Sequence, residues 1–299
     1  LELAALDVDV LHCPDFIPPA RLGRRWRRVI TIHDLAFLRF PDLLTEPSRR
    51  YYRQIGRAVA EAEQIIAVSR ATRDDLVENV DRQCASRVSV IGEAADACFV
   101  PGDGEAASRY VRHTFGIDRP YYLFVGTREP RKNLRRLLEA YRSFDDRLRA
   151  GLSRLVLVGS RGWLDEAIET AISDLGNRCI VLGWVSQSDL VQLYRAARAL
   201  LLVSLYEGFG LPALEAMACG CPTIVSNVSS LPEIVGDAGI LVDPSDGDSI
   251  ASALTELWDD SVKRQRLSER GLRQASQFSW QTTGENTIDV YRRAAACGS

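Results

Sequence analysis

Long apolar runs are missing from this sequence. Its most hydrophobic stretches, such as ALLLVSLY (199–206), fall far short of the roughly 20 residues that a membrane-crossing helix requires. The start carries no secretory signal pattern. No basic excess is present: 37 Lys and Arg stand against 40 Asp and Glu, a net charge of −3, so nothing points to nucleic acid as a partner. The seven cysteines are odd in number, scattered, and form no C-x-x-C pair. That argues against a disulfide framework and a structural zinc site, and the compartment expected is the reducing cytoplasm. Cys219 and Cys221 read as small packing residues. No G-x-G-x-x-G follows an early strand, which disfavours a dinucleotide-dependent dehydrogenase. No dense Asp cluster occupies a strand-tip loop of the kind a metal-chelating transferase would use, so no metal is expected. Internal repeats and low-complexity tracts are lacking too.

What is present is an alternation. At 299 residues, 46% hydrophobic and 26% charged, the chain is long enough for two globular domains. Short runs rich in Val, Ile and Leu alternate with amphipathic segments. VDVLHC (8–13), RVITIHD (28–34), QIIAVS (64–69) and RVSVIG (87–92) read as strands, with a helix at about 47–62 and another after Ser69, its expected N-cap. The rhythm resumes with strands at 121–127, 153–160, 178–184, 199–205, 222–227 and 238–244, and helices between them over 132–148, 163–175, 187–197 and from Pro212. Unbroken strands joined by helices predict α/β architecture with parallel, doubly wound sheets. The segment 93–120, rich in turn signals at Pro101–Gly104, is the expected boundary.

Two loops carry chemistry. In EGFGLPALEAMACGCP (207–222), Glu207 and Glu215 flank Gly208, Gly210 and Pro212 at the end of a buried strand. The glycines let backbone approach a ligand, and Pro212 suits the first turn of a helix, whose free N–H groups favour an anion such as phosphate. Carboxylates would repel phosphate but accept hydrogen bonds from hydroxyl pairs. The combination fits a sugar nucleotide. Each glutamate alone is as compatible with a plain structural role, Glu215 being favoured by the helix dipole in any case. The second loop, REPRKNL (128–134), places Arg128, Arg131 and Lys132 after a strand, where cations can neutralise a departing diphosphate. His33, in TIHDLAF, ends a strand; Asp34 either orients its ring or shapes the turn. His12, at the end of another strand, is a weaker candidate. The segment PPARLGRRWRR (18–28) sets five arginines around Trp26, a chemistry suited to anionic lipid headgroups, although a solvated loop before a strand is the simpler reading.

The run SLYEGFGLPALEAMACGCPTIVSNVSSLPEIVGDAGILVDP resembles the donor-domain signature of retaining glycosyltransferases of family 4, with Glu207 and Glu215 as its Glu-x7-Glu motif. LFVGTREPRKNL is similar to the family's phosphate-binding loop, VITIHDLAFLRFP to its histidine loop, and IIAVSRATRDDL to the strand–helix pair before the linker. The resemblance covers nearly the whole chain and is nearest in flavour to bacterial mannosyltransferases.

The resemblance implies a GT-B fold of two Rossmann-like domains facing across a cleft. Residues 1–105 would form the acceptor-binding domain, 106–277 the donor-binding domain, and 278–299 a helix crossing back to the first. It implies that Glu207 holds sugar hydroxyls and Glu215 the ribose. The amides of Gly208, Phe209, Gly210 and Leu211 would meet sugar and diphosphate. Lys132 with Arg128 or Arg131 would neutralise the leaving group on the loop that begins at Gly126. His33 would contact the donor sugar, and Gly183 to Val185 would line the base pocket.

No cofactor is implied beyond a GDP- or UDP-linked sugar as donor. The acceptor would be a saccharide or lipid-linked hydroxyl, at the inner face of the membrane if the protein binds there. No motif carboxylate is placed as a nucleophile, so the family implies departure and attack on one face, with the diphosphate as base. Two departures are visible. Family members open with a strand and a glycine-rich loop, absent before Leu1 here, so an incomplete first domain with impaired activity is expected. Thr127 stands where some members carry a phosphate-binding arginine. Two rivals remain: a sugar-nucleotide epimerase, which shares the architecture, and, from another class, a non-catalytic sugar-nucleotide binding protein.

Overall fold

The computed structural model describes residues 8–16, 26–44, 46–148, 151–162 and 166–296. They divide into two α/β units, one of Leu1–Ala94 with Phe278–Ser299, the other of Ala95–Gln277.

In the first unit β1 (Val10–Cys13), β2 (Arg27–Ile32), α1 (Ala36–Arg39), α2 (Glu46–Tyr52), α3 (Ile55–Glu61), β3 (Gln64–Ala67), α4 (Arg70–Asn79) and β4 (Val88–Val90) follow in order. The strands pair in parallel as β1-β2-β3-β4. Successive residues of a strand point to opposite faces, and both faces are apolar here. Ile30, Ile32 and Ile65 pack with Leu35, Val59 and Leu76, while Val29 and Ile66 pack with Ile91, Val290 and Ala294. The expected single helix over 47–62 is two helices. Only the second, through Ile55, Ala58 and Val59, carries buried apolar positions; α2 has none, though the Tyr52 ring stacks on Phe37, centroids 4.3 Å apart. Ser69 caps α4 as expected, accepting from Thr72 N at 3.0 Å. Of the segment 18–28, Trp26 and Arg28 are buried, and Arg28 donates to Glu61, so neither can serve a headgroup; residues 18–25 lie outside the described residues. No helix among the described residues is long and apolar enough to cross a membrane.

The second unit runs α5 (Gly104–Phe115), β5 (Tyr121–Val125), α6 (Leu134–Arg147), β6 (Arg154–Val158), α7 (Glu166–Leu175), β7 (Cys179–Gly183), α8 (Gln187–Ala196), β8 (Ala199–Leu202), α9 (Leu211–Ala218), β9 (Thr223–Ser226), α10 (Leu231–Val235), β10 (Ile240–Val242), α11 (Gly247–Asp259) and α12 (Ser261–Ala275). Its parallel sheet has the order β10-β9-β8-β5-β6-β7. Tyr122, Phe124, Leu155, Leu157, Leu201 and Ile224 form one buried layer with α6 and α11; Leu123, Leu200, Leu202 and Val225 on the other face are equally buried. The first unit was expected to reach 105, but residues 95–105 join the second. Phe99 meets the Tyr194 ring edge-on, centroids 5.9 Å apart, and Arg195 Nε donates to Val100 O at 3.0 Å.

The last helix, α13 (Trp280–Ala296), belongs to the first unit. Val290 and Ala294 enter its core, Thr283 Oγ1 donates to Gly92 O at 2.7 Å, and Tyr291 OH lies 2.7 Å from His12 Nδ1. The other ring nitrogen of His12 is 2.8 Å from Thr31 Oγ1. Hydroxyls donate or accept, so a neutral ring is satisfied on both sides. Burial, and then the nearby His33, lower the His12 pKa below the ordinary 6.5. The fold therefore favours the neutral ring: its contribution is present above pH 6.5 and lost as pH falls through the lowered value. Acidifying from about pH 7.5 to about pH 5.5 should cost the wild-type first unit more melting temperature than the His12→Gln variant, which lacks this part of the loss. An unchanged slope in the variant, read by calorimetry, would remove His12 from the account.

Candidate active site

The sheet order of the second unit fixes where its loops meet. From β5 the chain steps to β6 and β7 on one side, then returns to place β8, β9 and β10 on the other. The direction reverses between β5 and β8, which pair directly. Ligands bind in open α/β sheets beyond the carboxyl ends of strands at such a reversal. The loops leaving these two strands are 126–133 and 203–210, those that carry the cations and Glu207.

They are tied together by hydrogen bonds. Leu205 N donates to Arg131 O at 2.9 Å, and Asn133 Nδ2 donates to Val203 O at 3.0 Å and Pro244 O at 2.7 Å. Asn133 adopts φ 57, a left-handed conformation that Asn tolerates better than most residues. Gly126 takes φ 151, and the backbone of the next loop presses against it: a Cβ on Gly159 would come within 2.1 Å of Gly126 O. On the β8 side, Ser230 Oγ donates to Glu207 O at 3.0 Å and Phe209 O at 2.8 Å, and Glu207 N donates to Ser229 Oγ at 3.0 Å. Gly210, at φ 109, turns the chain into α9, with Pro212 in its first turn.

Glu207 is 6% exposed and sits in a nest of charge. Its Oε1 accepts from Lys132 Nζ at 2.7 Å and Ser204 Oγ at 2.6 Å; its Oε2 accepts from Lys132 Nζ at 2.9 Å and Arg131 Nη1 at 3.2 Å. Arg131 Nη1 also donates to Tyr206 O at 2.9 Å, and its Nη2 to Glu129 Oε1 at 2.7 Å. Burial alone would raise the Glu207 pKa; Lys132, Arg131 and the bond from Ser204 outweigh it and hold the group below its ordinary value. Glu207 is thus a buried anion, and Lys132 and Arg131 are cations held at the mouth of the sheet.

Glu215, one turn into α9, is half-buried and accepts from Tyr194 OH at 2.9 Å. Burial, opposed by that hydrogen bond and reinforced by Asp96, raises its pKa. Arg128 goes elsewhere. It is 8% exposed, and its Nη2 lies 3.2 Å from Glu169 Oε1 on α7, while its backbone N donates to Ser160 O at 3.1 Å. Of the three cations the sequence offers, the structure joins Arg131 and Lys132 to Glu207 and turns Arg128 toward α7. Phe209 is buried, and its carbonyl is engaged by Ser230, so its part in the loop is packing as well as backbone. Gly183, at φ 70, ends β7, the edge strand two places from β5, and half-buried Val185 follows it.

Residues 111–274 match the family model described as glycosyl transferases group 1, and residues 1–99 the one described as glycosyltransferase family 4. The chain belongs to the group 1 glycosyl transferases. It is 36% identical over 289 residues to the O-antigen chain mannosyltransferase B of Escherichia coli, covering 95% of this chain and 74% of that protein. Against the serotype-specific mannosyltransferase WbdA of E. coli it is 28% identical over 274 residues, 90% of this chain but 34% of the larger protein. Among solved structures, WaaG, a glycosyltransferase involved in lipopolysaccharide biosynthesis, superposes with a TM-score of 0.78 at 18% identity, over 97% of this chain and 80% of that one. The fold is GT-B: two units, each with a parallel sheet and helices.

In the first unit of this glycosyl transferase, His33 lies just past β2. Its Nε2 is 2.8 Å from Pro14 O and its Nδ1 3.2 Å from Glu93 Oε1. Asp34 is the turn residue, accepting from Ala36 N at 3.0 Å, so the ring is held by Glu93 instead. Sequence reasoning missed Glu93, Glu129, Ser204, Asn133, Ser229 and Ser230. The last two sit in the SSLPE stretch of the recognised run, and Asn133 directly follows the cations; Glu93 carries no local signal.

Proposed function

We propose that this glycosyl transferase moves a hexose, mannose favoured, from a GDP- or UDP-linked donor to a hydroxyl of a saccharide or lipid-linked acceptor in cell-surface polysaccharide assembly, with retention at the anomeric carbon. One observation carries the reading: a buried carboxylate and two cations converge where β5 and β8 part. Hydroxyl-rich sugar and anionic diphosphate are the two chemistries such a set can hold at once. The sugar and the pathway are supported by the mannosyltransferase names of the relatives.

In this reading Lys132 and Arg131 turn from Glu207 to the diphosphate as the donor enters, and Glu207 takes the sugar hydroxyls in their place. The swap keeps each charge partnered throughout, which limits the cost of desolvating the site. Gly208, Phe209, Gly210 and Leu211 offer backbone to the sugar and diphosphate, and Gly126 gives the phosphate loop its close approach. Glu215, anchored by Tyr194, takes the ribose hydroxyls, and Val185 lines the base pocket. As the anomeric C–O bond breaks, the cations stabilise the charge that develops on the diphosphate, and the acceptor proton passes to that leaving group. Arg128, paired with Glu169, is given no part in this reading.

The test is transfer from a panel of GDP- and UDP-sugars to saccharide acceptors, with product configuration read by NMR. Retained configuration from one donor supports the reading; binding to none of them, or inversion, defeats it. Tyr194→Phe should weaken nucleotide binding about tenfold, near 1.4 kcal/mol, by freeing Glu215 from its anchor. Unchanged affinity by calorimetry would take the ribose away from Glu215.

A further inference from the structure

The amino ends of β5 and β8 lie across the second sheet from the candidate site. Tyr121 opens β5 and Ala199 opens β8; Arg198 N, just ahead of β8, donates to Tyr121 O at 2.8 Å. Loops 126–133 and 203–210 leave the opposite, carboxyl ends. The five residues of β5 separate the two ends by about 16 Å, at a rise of about 3.3 Å per residue. A cavity of about 310 Å³ opens at the amino ends, lined by α5, residues 117–120 and the turn from α8 into β8. Among its described lining residues are three arginines, Arg112, Arg119 and Arg198, and a single acid, Asp118.

Other arginines of this unit are paired with acids: Arg178 with Asp145 and Asp146, Arg128 with Glu169, Arg131 with Glu129. Among the described residues, the three of the cavity form no ion pair. The Arg198 guanidinium lies over the Trp258 ring, 4.3 Å from its centroid. Its Nε is buried with no hydrogen-bond partner among the described residues. Arg264 of α12, whose guanidinium donates to Leu257 O and Trp258 O, adds like charge nearby. Burial, and then Arg264, lower the Arg198 pKa below its ordinary value. A lowered arginine pKa marks a charge that its surroundings do not balance. Positive charge gathered in a concave surface draws in an anion.

We propose that this cavity is a second anion site, built for the phosphate monoester of a ligand other than the sugar donor. Three guanidiniums beside one carboxylate leave a charge of +2, which suits a monoester of about −1.5 to −2 at neutral pH. Guanidinium forks fit phosphate oxygens two at a time. Arg112 and Arg119 are exposed and free to turn onto the ligand, while Arg198 is held over Trp258. The volume falls at the small end of small-molecule sites, about 300–1,000 Å³, and Ile117 and Pro120 offer apolar wall to the body that carries the phosphate. A soluble metabolite and a lipid headgroup both present this chemistry. No step of sugar transfer passes through the cavity, so the site stands or falls independently of the donor site.

Glycerol 3-phosphate and inorganic phosphate serve as soluble probes, titrated into the whole protein by calorimetry. Phosphatidylcholine vesicles with and without phosphatidic acid are the lipid probe, read by flotation. The wild-type protein should bind at least one of these, and more weakly as salt is raised. Arg112→Gln combined with Arg119→Gln, both at exposed positions, should reduce affinity by about tenfold or more. Asp118→Asn should raise it, and Lys132→Ala, in loop 126–133, should leave it in place. Melting curves establish that the variants fold. Binding of the soluble ester alone makes the ligand a metabolite, and binding of phosphatidic acid vesicles alone makes it a headgroup; either supports the site. No binding of any probe at millimolar concentration overturns the proposal. So does binding that survives the double arginine change, or that disappears with Lys132→Ala.

Discussion

Glu207→Gln should cut kcat by about 10²–10³-fold in a protein that still folds. The carboxylate is the shared partner of Lys132 and Arg131, at 2.7 and 3.2 Å, and the group proposed to take the sugar hydroxyls. Glutamine keeps the shape and one acceptor oxygen for Ser204, but removes the charge that pairs with the two cations before the donor enters. Glu207→Ala is the harsher change. It removes the anion shared by two cations whose side chains are 12% and 20% exposed, and leaves Arg131 its bond to Glu129. Breaking a buried pair from one side costs about 3–5 kcal/mol; the partial exposure of both cations puts this case near the lower figure. The two variants separate chemistry from folding. Should Glu207→Gln turn over within threefold of wild type, the buried acid is structural and the proposed site is wrong.

Gly159→Ala should destabilise the second unit by about 2–5 kcal/mol and displace loop 126–133, proposed to meet the diphosphate. The added Cβ would stand 2.1 Å from Gly126 O and 2.6 Å from its carbonyl carbon, at φ +130. Those are backbone atoms, and no flexible side chain can move aside. Because Gly159 N also donates to Gly183 O at 2.7 Å, the loop after β6 cannot retreat without disturbing the loop after β7. Gly116→Ala is the control: φ is +69, nothing lies within 4 Å, and the cost should stay near 1 kcal/mol. Equal melting temperatures for the two alanine variants would show that the close approach at Gly126 is not what the fold requires.

Much of this was readable in advance, for a physical reason. Strands buried on both faces, such as β5 and β8, are apolar at every position, and the loops beyond them must turn quickly, so runs and glycines mark both. Charges at the ends of such strands stand out, which is how Lys132, Arg131 and Glu207 were found. Arg128 looks the same as its neighbours in the sequence because a one-dimensional pattern does not show which way a side chain leaves a loop. The bridge between Arg128 and Arg161 aligns this stretch with the loop after β6 and turns the guanidinium toward Glu169. The division falls after Ala94, inside the expected segment 93–120, but the limit at 105 was set too late for a similar cause: Phe99 and Val100 precede the turn signals at Pro101–Gly104, yet find their partners on Tyr194 and Arg195, far along the chain.

The sequence by itself determined the α/β class, the positions of the strands, and the residue types at the two critical loops, because burial and backbone geometry act locally on each segment. Tertiary structure alone decided the partners. Strand order brought loops 126–133 and 203–210 to one reversal of the sheet, made Glu207 a shared anion, and gave His33 to Glu93 where Asp34 had been the nearer choice. Hydrogen bonds and ion pairs depend on distances of about 3 Å in space, and separation along the chain says nothing about which groups will meet at that range.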